Sequence, residues 1–434
     1  MILPAETNQV KAFHFRVGTG KRTLTLREKV RIPPTSHHAT RAERHHCSLS
    51  GSAPLELRVF EIKTIALTQD YLLFGYRHRK VAMDTPLAPA NTATPFRDYI
   101  PSPDNPRSKE LAQCDTYQWS ANRLAEPFVA DWQRKWTEVS NEPYRSITVD
   151  GNIIPDLYHL AEGKGEDGLR APVEAMVATV QELLALDLPP AVRDSLSKPV
   201  DAIEWRRWLN PEIYAYRHGV RLEEVTDEIC EAVYKMVISP VFMGAEPNVI
   251  DDGPHKGTEL FVDQESTALG LMQSMDEATV RKVRIFNHLN GPEYPEGRFH
   301  RADQRHLGGT FQDNRVVPYE GVKVTSLTEP QQNQVWRLIE LGLNFLPRGA
   351  LAAKIAEIRR HWDETYFCWI GGRAVGDAFY YNIHSPVTMI EFDHHTGVFL
   401  NNKEPRPFHI HTLVRTPNGN DYGKELLRQY HARK

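Results

Sequence analysis

Cysteine is scarce in this chain and never clustered: Cys47, Cys114, Cys230 and Cys368 are the four among 434 residues, and no two share a C-x-x-C spacing. That pattern excludes a disulfide framework and a cysteine-based zinc knuckle, leaving ordinary reduced thiols. No charge sign dominates, since the formal net charge is −4 at pH 7. Without a basic excess nothing invites nucleic acid, and without strong acidity nothing argues for disorder. No run approaches the roughly 18 uninterrupted apolar residues of a membrane span, and residues 1–20 lack the apolar centre of a signal peptide. A cytoplasmic protein with neither a membrane nor a nucleic-acid partner is expected.

Common catalytic motifs are missing too. There is no G-x-S-x-G elbow, no phosphate-binding G-x-x-x-x-G-K-[ST] and no H-E-x-x-H, which argues against the commonest hydrolases, nucleotide enzymes and metalloproteases. Gly163-Lys164-Gly165-Glu166-Asp167-Gly168 matches G-x-G-x-x-G literally. No apolar strand leads into it, and Glu166 and Asp167 would repel a pyrophosphate, so it reads as a surface loop and no nucleotide cofactor is indicated. Ser385 and Cys368 lack any nucleophile context.

What is present falls into two regions. The first fifty residues carry nine Lys/Arg against three acids, with His37-His38 and His45-His46-Cys47 set among Pro, Ser, Thr and Arg, where nothing would fix a ligand geometry. Residues 84–107, ending in Pro101-Ser102-Pro103-Asp104-Asn105-Pro106, read as a linker that sustains neither helix nor central strand. Residues 1–107 are thus expected to be a largely irregular N-terminal region, with a hairpin over 55–60 and 71–76 as the rival reading. Residues 108–434 are expected to form a single α+β domain.

Within that domain, helical apolar spacing over 171–186 stops before Pro189-Pro190, and further helices are expected at 222–237, 264–273, 277–288, 329–345 and 351–362. After Asp363 the period shortens. Runs at 366–370, 378–383, 387–392, 398–400 and 408–414 predict a C-terminal antiparallel sheet. Pro417-Asn418-Gly419-Asn420 marks a turn, and residues 422–431 read as a closing helix.

The most chemically suggestive feature is Phe408-His409-Ile410-His411-Thr412. On a strand, residues i and i+2 share a face, so both imidazoles point the same way. In Met389-Ile390-Glu391-Phe392-Asp393-His394-His395, the same rule puts Glu391, Asp393 and His395 on one face and Ile390, Phe392 and His394 on the other. If the two strands are neighbours with matched faces, two histidines and a carboxylate come together, a set suited to zinc with an open position or to non-haem iron. The plainer alternative is a polar strand face whose histidines hydrogen-bond carboxylates.

Several segments resemble one known family. They are Trp205-Arg206-Arg207-Trp208-Leu209-Asn210-Pro211, "PVFMGAEP" from Pro240, "DNRVVPYEG" from Asp313, Tyr366-Phe367-Cys368-Trp369-Ile370-Gly371-Gly372, and "HSPVTMIEFDHH", "HIHTLVRTPNGNDYG" and "LLRQYH" over 380–431. Together they resemble the "domain of unknown function 3500" family from about residue 147 to the C-terminus. That family carries no agreed reaction, but the resemblance gives added weight to the H-I-H pair and Glu391. It also implies a gap: a G-H-H-L segment normally precedes the P-x-F-x-G-x-E-P stretch, whereas here Val237 runs almost directly into Pro240. If the missing histidines complete a site, the chain is an impaired version.

The combined expectation is a metal-dependent enzyme, hydrolase- or hydratase-like, acting on a small organic substrate. His409, His411 and Glu391 would hold a divalent zinc or iron, and Arg415 would orient an anionic group of the substrate. Non-haem iron oxidation is the alternative chemistry. A non-catalytic structural or interaction protein, with Trp205, Trp208, Trp336 and Trp369 packing a core or partner surface, is the alternative class. Oligomeric state is not legible.

Overall fold

A computed structural model describes residues 58–60, 96–158, 173–199, 202–209, 215–216, 219–235, 239–253 and 255–432. The histidine clusters before residue 50, the 71–76 run and the 163–168 glycine loop lie outside them. Strand β1 (Arg58–Phe60) comes first, followed by helices α1 (Pro106–Gln113), α2 (Thr116–Leu124), α3 (Pro127–Asn141), α4 (Val173–Ala185) and α5 (Pro190–Leu196). Then come β2 (Ser197–Pro199), α6 (Asp227–Tyr234), β3 (Val241–Ala245), β4 (Val249–Ile250), β5 (Thr258–Glu259), α7 (Val262–Gln273) and α8 (Glu277–Val283). Strands β6 (Arg284–Phe286) and β7 (Val322–Lys323) precede helices α9 (Glu329–Gly342) and α10 (Arg348–Arg360). Strands β8 (Tyr366–Gly371), β9 (Phe379–His384), β10 (Met389–His394) and β11 (Ile410–Arg415) lead to the closing helix α11 (Lys424–Ala432). Among the described residues no helix is long and apolar enough to cross a membrane.

The main sheet runs β3-β11-β10-β9-β8-β6, with β7 also pairing β8. All its pairings are antiparallel except β6 with β8, so the fold is α+β around a mostly antiparallel mixed sheet. Alternation along the strands gives this sheet two chemically distinct faces. One carries Phe367, Trp369, Phe379, Tyr381, Ile383, Ile390, Phe392, Ile410 and Val414, and it packs on Leu269 and Met272 of α7, Val335, Leu338 and Ile339 of α9, and Ile358 of α10. Burying each such large side chain contributes about 1.5–3 kcal/mol. Helix α9 comes close because Gly342 faces the sheet: a Cβ there would lie 2.9 Å from Ile390 Cγ2. The other face carries Tyr380, Asn382, Glu391, Asp393, His411 and Arg415, and the irregular segment 298–321 lies over it. All twelve residues of β10 and β11 are therefore buried.

Several expectations change. The helix expected over 277–288 stops at Val283, because Arg284 and Phe286 pair with Trp369 and Ile370 of β8. The run 398–400 is no strand; its amides turn toward the Glu246 carboxylate instead. The sheet is not confined to the C-terminal region, since β3, β6 and β7 join it from earlier in the chain. The proline-rich run at 101–106, read as a linker, ends by starting α1. Asn105 caps the helix by accepting from Arg107 N, and Pro106 occupies the first turn, where its missing N–H costs nothing. Upstream of it, Tyr99 O accepts from Asn401 N at 2.8 Å and the Tyr99 ring lies 5.3 Å from that of Phe408. Of the hairpin read as a rival for the N-terminal region, β1 pairs with β2.

Candidate metal centre

β10 and β11 are neighbours, and Asp393 pairs directly with His411. Just beyond β10 the ladder continues: His395 N donates to His409 O at 2.8 Å. Alternation therefore places Asp393, His395, His409 and His411 on the polar face together, as the strand spacing predicts. A fourth imidazole, His306, arrives from the covering segment. Its ring centre lies 5.7 Å from that of His395 and 6.3 Å from that of His411. The rings of His395 and His411 are 3.7 Å apart, and the Nε2 atoms of His409 and His411 stand 3.0 Å apart.

Glu391 takes a different part from the one expected of it. Its carboxylate accepts from Leu307 N at 2.7 Å, Gly308 N at 2.9 Å and the Tyr380 hydroxyl at 2.7 Å. It thus clamps the backbone just after His306 and holds that imidazole over the sheet. Burial pushes its pKa up, and the three donated hydrogen bonds oppose the shift. A side chain on Gly308 would crowd this approach: a Cβ there would sit 2.7 Å from Met389 Cε, 3.0 Å from Arg415 Cγ and 3.3 Å from Glu391 Oε2. The carboxylate that does join the histidines is Asp393, one pleat further along. Donor atoms of His306, Asp393 and His395 all lie within 4.8 Å of one another.

Asp393 is held from behind. Arg305 Nε donates to its Oδ1 at 2.7 Å, while the same guanidinium also reaches Leu289 O, Gln304 Oε1 and His394 O. This leaves Oδ2 facing the imidazoles, 3.1 Å from His395 Nε2. Asp393 Oδ2, His395 Nε2 and both ring nitrogens of His306 are buried without a hydrogen-bond partner among the described residues. Buried polar atoms are seldom left so, and each such atom asks for a proton, a water or an ion. Burial lowers the His306 pKa to about 4. Burial, reinforced by the neighbouring cationic forms, depresses His395 and His411 well below the usual range. All three are therefore neutral near pH 7, the form in which imidazole offers a lone pair to a metal.

Arg415 does not present itself to a substrate. It is wholly buried, donating to Asp421 Oδ2 at 2.7 Å, Asp313 Oδ1 at 2.6 Å and Gly308 O at 3.0 Å. Asp313 also accepts from Arg206 at 2.9 Å and from the Tyr422 hydroxyl at 2.9 Å. This network ties the "DNRVVPYEG" and "NGNDYG" segments to β11, which makes Arg415 an internal strut. His394 is turned to the apolar face, as alternation requires: its Nδ1 accepts from Phe379 N at 2.9 Å and its Nε2 lies 3.1 Å from Glu265 Oε1 of α7. His306 and Arg305 escaped sequence reasoning because they lie in a turn-rich stretch without periodicity. The adjacent Gly308-Gly309 pair was the only local sign of a close backbone approach.

Fold and cluster together define an α+β protein with a buried histidine–aspartate centre on the polar face of its sheet. The family described as "Protein of unknown function (DUF3500)" matches residues 169–237 and 233–424, more than half of the chain, and the chain belongs to it. The two matched stretches meet at 233–237, next to the place where the family segment is expected to be missing. No curated protein and no solved structure matches the chain.

Proposed function

We propose that this protein is a metal-dependent enzyme acting on a small organic substrate, with His306, Asp393 and His395 as the protein ligands of a divalent ion. The observation that carries the reading is the convergence of three buried donors, two imidazoles and an aspartate oxygen, within 4.8 Å of one another. Two neutral imidazoles and a carboxylate suit zinc with an open coordination position, and equally non-haem iron. Such an ion would act as a Lewis acid and bring the pKa of water near neutrality, so hydrolysis or hydration is the least demanding chemistry. Around it, Arg305 fixes which aspartate oxygen faces inward, and Glu391 fixes the loop that carries His306. Oxidation at iron is the alternative chemistry, supported by the same ligand set.

A second reading, a closed structural ion in a non-catalytic protein, is favoured by the burial of the ligands, whose relative exposures are 2% for His306, 0% for Asp393 and 2% for His395. Elemental analysis of the purified chain tests the metal itself: a stoichiometric ion that is lost in a His306→Ala/His395→Ala variant is expected, and a metal-free wild type refutes the proposal. Chelation then separates the two readings. Removing either ion lowers the melting temperature by mass action, but a catalytic centre keeps its far-UV circular dichroism when emptied, whereas loss of a structural ion unfolds the chain.

A further inference from the structure

We propose a second cation position between His409 and His411, beside the His306–Asp393–His395 group and distinct from it. The proposal builds on the metal reading of that neighbouring group but stands on separate geometry. The Nε2 atoms of His409 and His411 are 3.0 Å apart and their ring centres 4.7 Å apart, with the ring planes at 80°. With each nitrogen about 1.1 Å from its ring centre, a straight N–H···N bond of this length would hold the centres about 5.2 Å apart. An ion bound by both nitrogens at about 2.1 Å would instead hold them about 4.6 Å apart. The observed separation is that of two lone pairs converging on a shared point rather than of one ring donating along its axis to the other.

The surroundings fit ligation. Glu246 stands behind His409, its Oε1 3.7 Å from Nδ1, and its carboxylate is anchored by the amides of Val398, Phe399 and Leu400 at 3.0–3.2 Å. A fixed negative charge on the Nδ1 side favours the tautomer with its proton there, which frees the Nε2 lone pair toward His411; a carboxylate behind a ligating histidine commonly serves this purpose. The same distances put the angle at the ion at about 90°, the corner of an octahedral shell rather than a tetrahedral one, so the position suits iron(II), cobalt(II) or manganese(II) better than zinc. His395 belongs to the first group; its ring centre lies 3.7 Å from that of His411 and 5.5 Å from that of His409, with the ring planes tilted by 41° and 46°. With two imidazoles from the described residues as donors, the rest of the shell would go to water or to a chelating small molecule.

Titrating the metal-free full-length chain with cobalt(II), followed by equilibrium dialysis and visible absorption, tests this directly. About two equivalents are expected for the wild type, about one for His409→Gln/His411→Gln, and about one for His306→Gln/Asp393→Asn, each with a different absorption band. A wild type that binds one equivalent overturns the second position, and if that ion is lost only in the His306/Asp393 variant the reading of the first group survives. A wild type that binds none overturns both. Because the wild-type stoichiometry decides by itself, a variant that misfolds does not rescue the proposal; far-UV circular dichroism identifies such a variant.

Discussion

Arg305 is the residue on which the centre most depends without belonging to it. Its guanidinium and the Asp393 carboxylate are 1% and 0% exposed, and removing one member of such a buried pair strands the other's charge. Arg305→Ala is therefore expected to cost about 3–5 kcal/mol of stability, read from the midpoint of urea unfolding; a loss below about 1 kcal/mol would show that Asp393 does not depend on this pairing in the native protein. His384 offers a cleaner view of burial, since it stands at the end of β9 against Tyr319 and neither ring nitrogen has a hydrogen-bond partner among the described residues. Burial lowers its pKa to about 3. The native state thus holds fewer protons here than the unfolded chain, so the stabilising contribution is complete above about pH 6.5 and is lost as pH falls through that value toward about 3. Its share of the acid sensitivity is about 1.4 kcal/mol per pH unit in that window. His384→Leu should flatten the fall by that amount between pH 6 and pH 4 in melts at constant ionic strength; an unchanged slope would show that His384 protonates freely in the folded state.

At the level of elements, the most instructive feature is the loop after β10. Val398, Phe399 and Leu400 form a short apolar run that suggests a strand, yet their amides converge on one buried carboxylate, Glu246, just past the edge strand β3. A carboxylate that accepts several backbone N–H groups replaces a partner strand for that short stretch. Glu246→Ala leaves those donors without an acceptor, at a cost of about 1–3 kcal/mol. Amide exchange at 398–400 should then quicken while exchange in β8 and β9 keeps its wild-type rate. Equal acceleration throughout would show that the loop and the sheet open as one unit. A similar logic governs the segment 298–321, whose shape comes from side chains of the sheet rather than from a ladder of its own: Glu391 takes two of its amides, Arg415 one of its carbonyls, and Asp393 its Arg305.

On the scale of the whole molecule, the sheet is enclosed on both faces, by helices on the apolar side and by an irregular cover on the polar side. Residues 96–107 belong to this enclosure. Arg97 pairs with Asp251, and Tyr99 holds Asn401 and Phe408 beside the histidines. A chain beginning at residue 96 is therefore expected to be more stable than one beginning at residue 108 by about 1–3 kcal/mol, from one backbone hydrogen bond, one aromatic contact and the Asn105 cap of α1. Equal melting temperatures would return the segment to the status of a linker. The junction between α6 and β3 is the other global feature, since the family match divides there.

The sequence by itself determined the elements whose evidence is periodic. Alternation marked β8 to β11, sorted His409 and His411 to one face and His394 to the other, and apolar helical spacing located α4, α7, α9 and α10 within a few residues. The family was legible as well, because its motifs are dense in the last fifty residues. Tertiary structure alone decided which polar side chains converge. Strand alternation cannot say which of Glu391 and Asp393 stands level with the histidines, for that depends on register between β10 and β11 and on what covers them. Two amides and a tyrosine hydroxyl claimed Glu391, an arginine turned one oxygen of Asp393 inward, and an imidazole from a segment without periodicity, His306, came to lie above it. Apart from the cross-strand Tyr380, the partners of these buried polar groups lie 83 to 88 positions away, at a separation where local propensity carries no information.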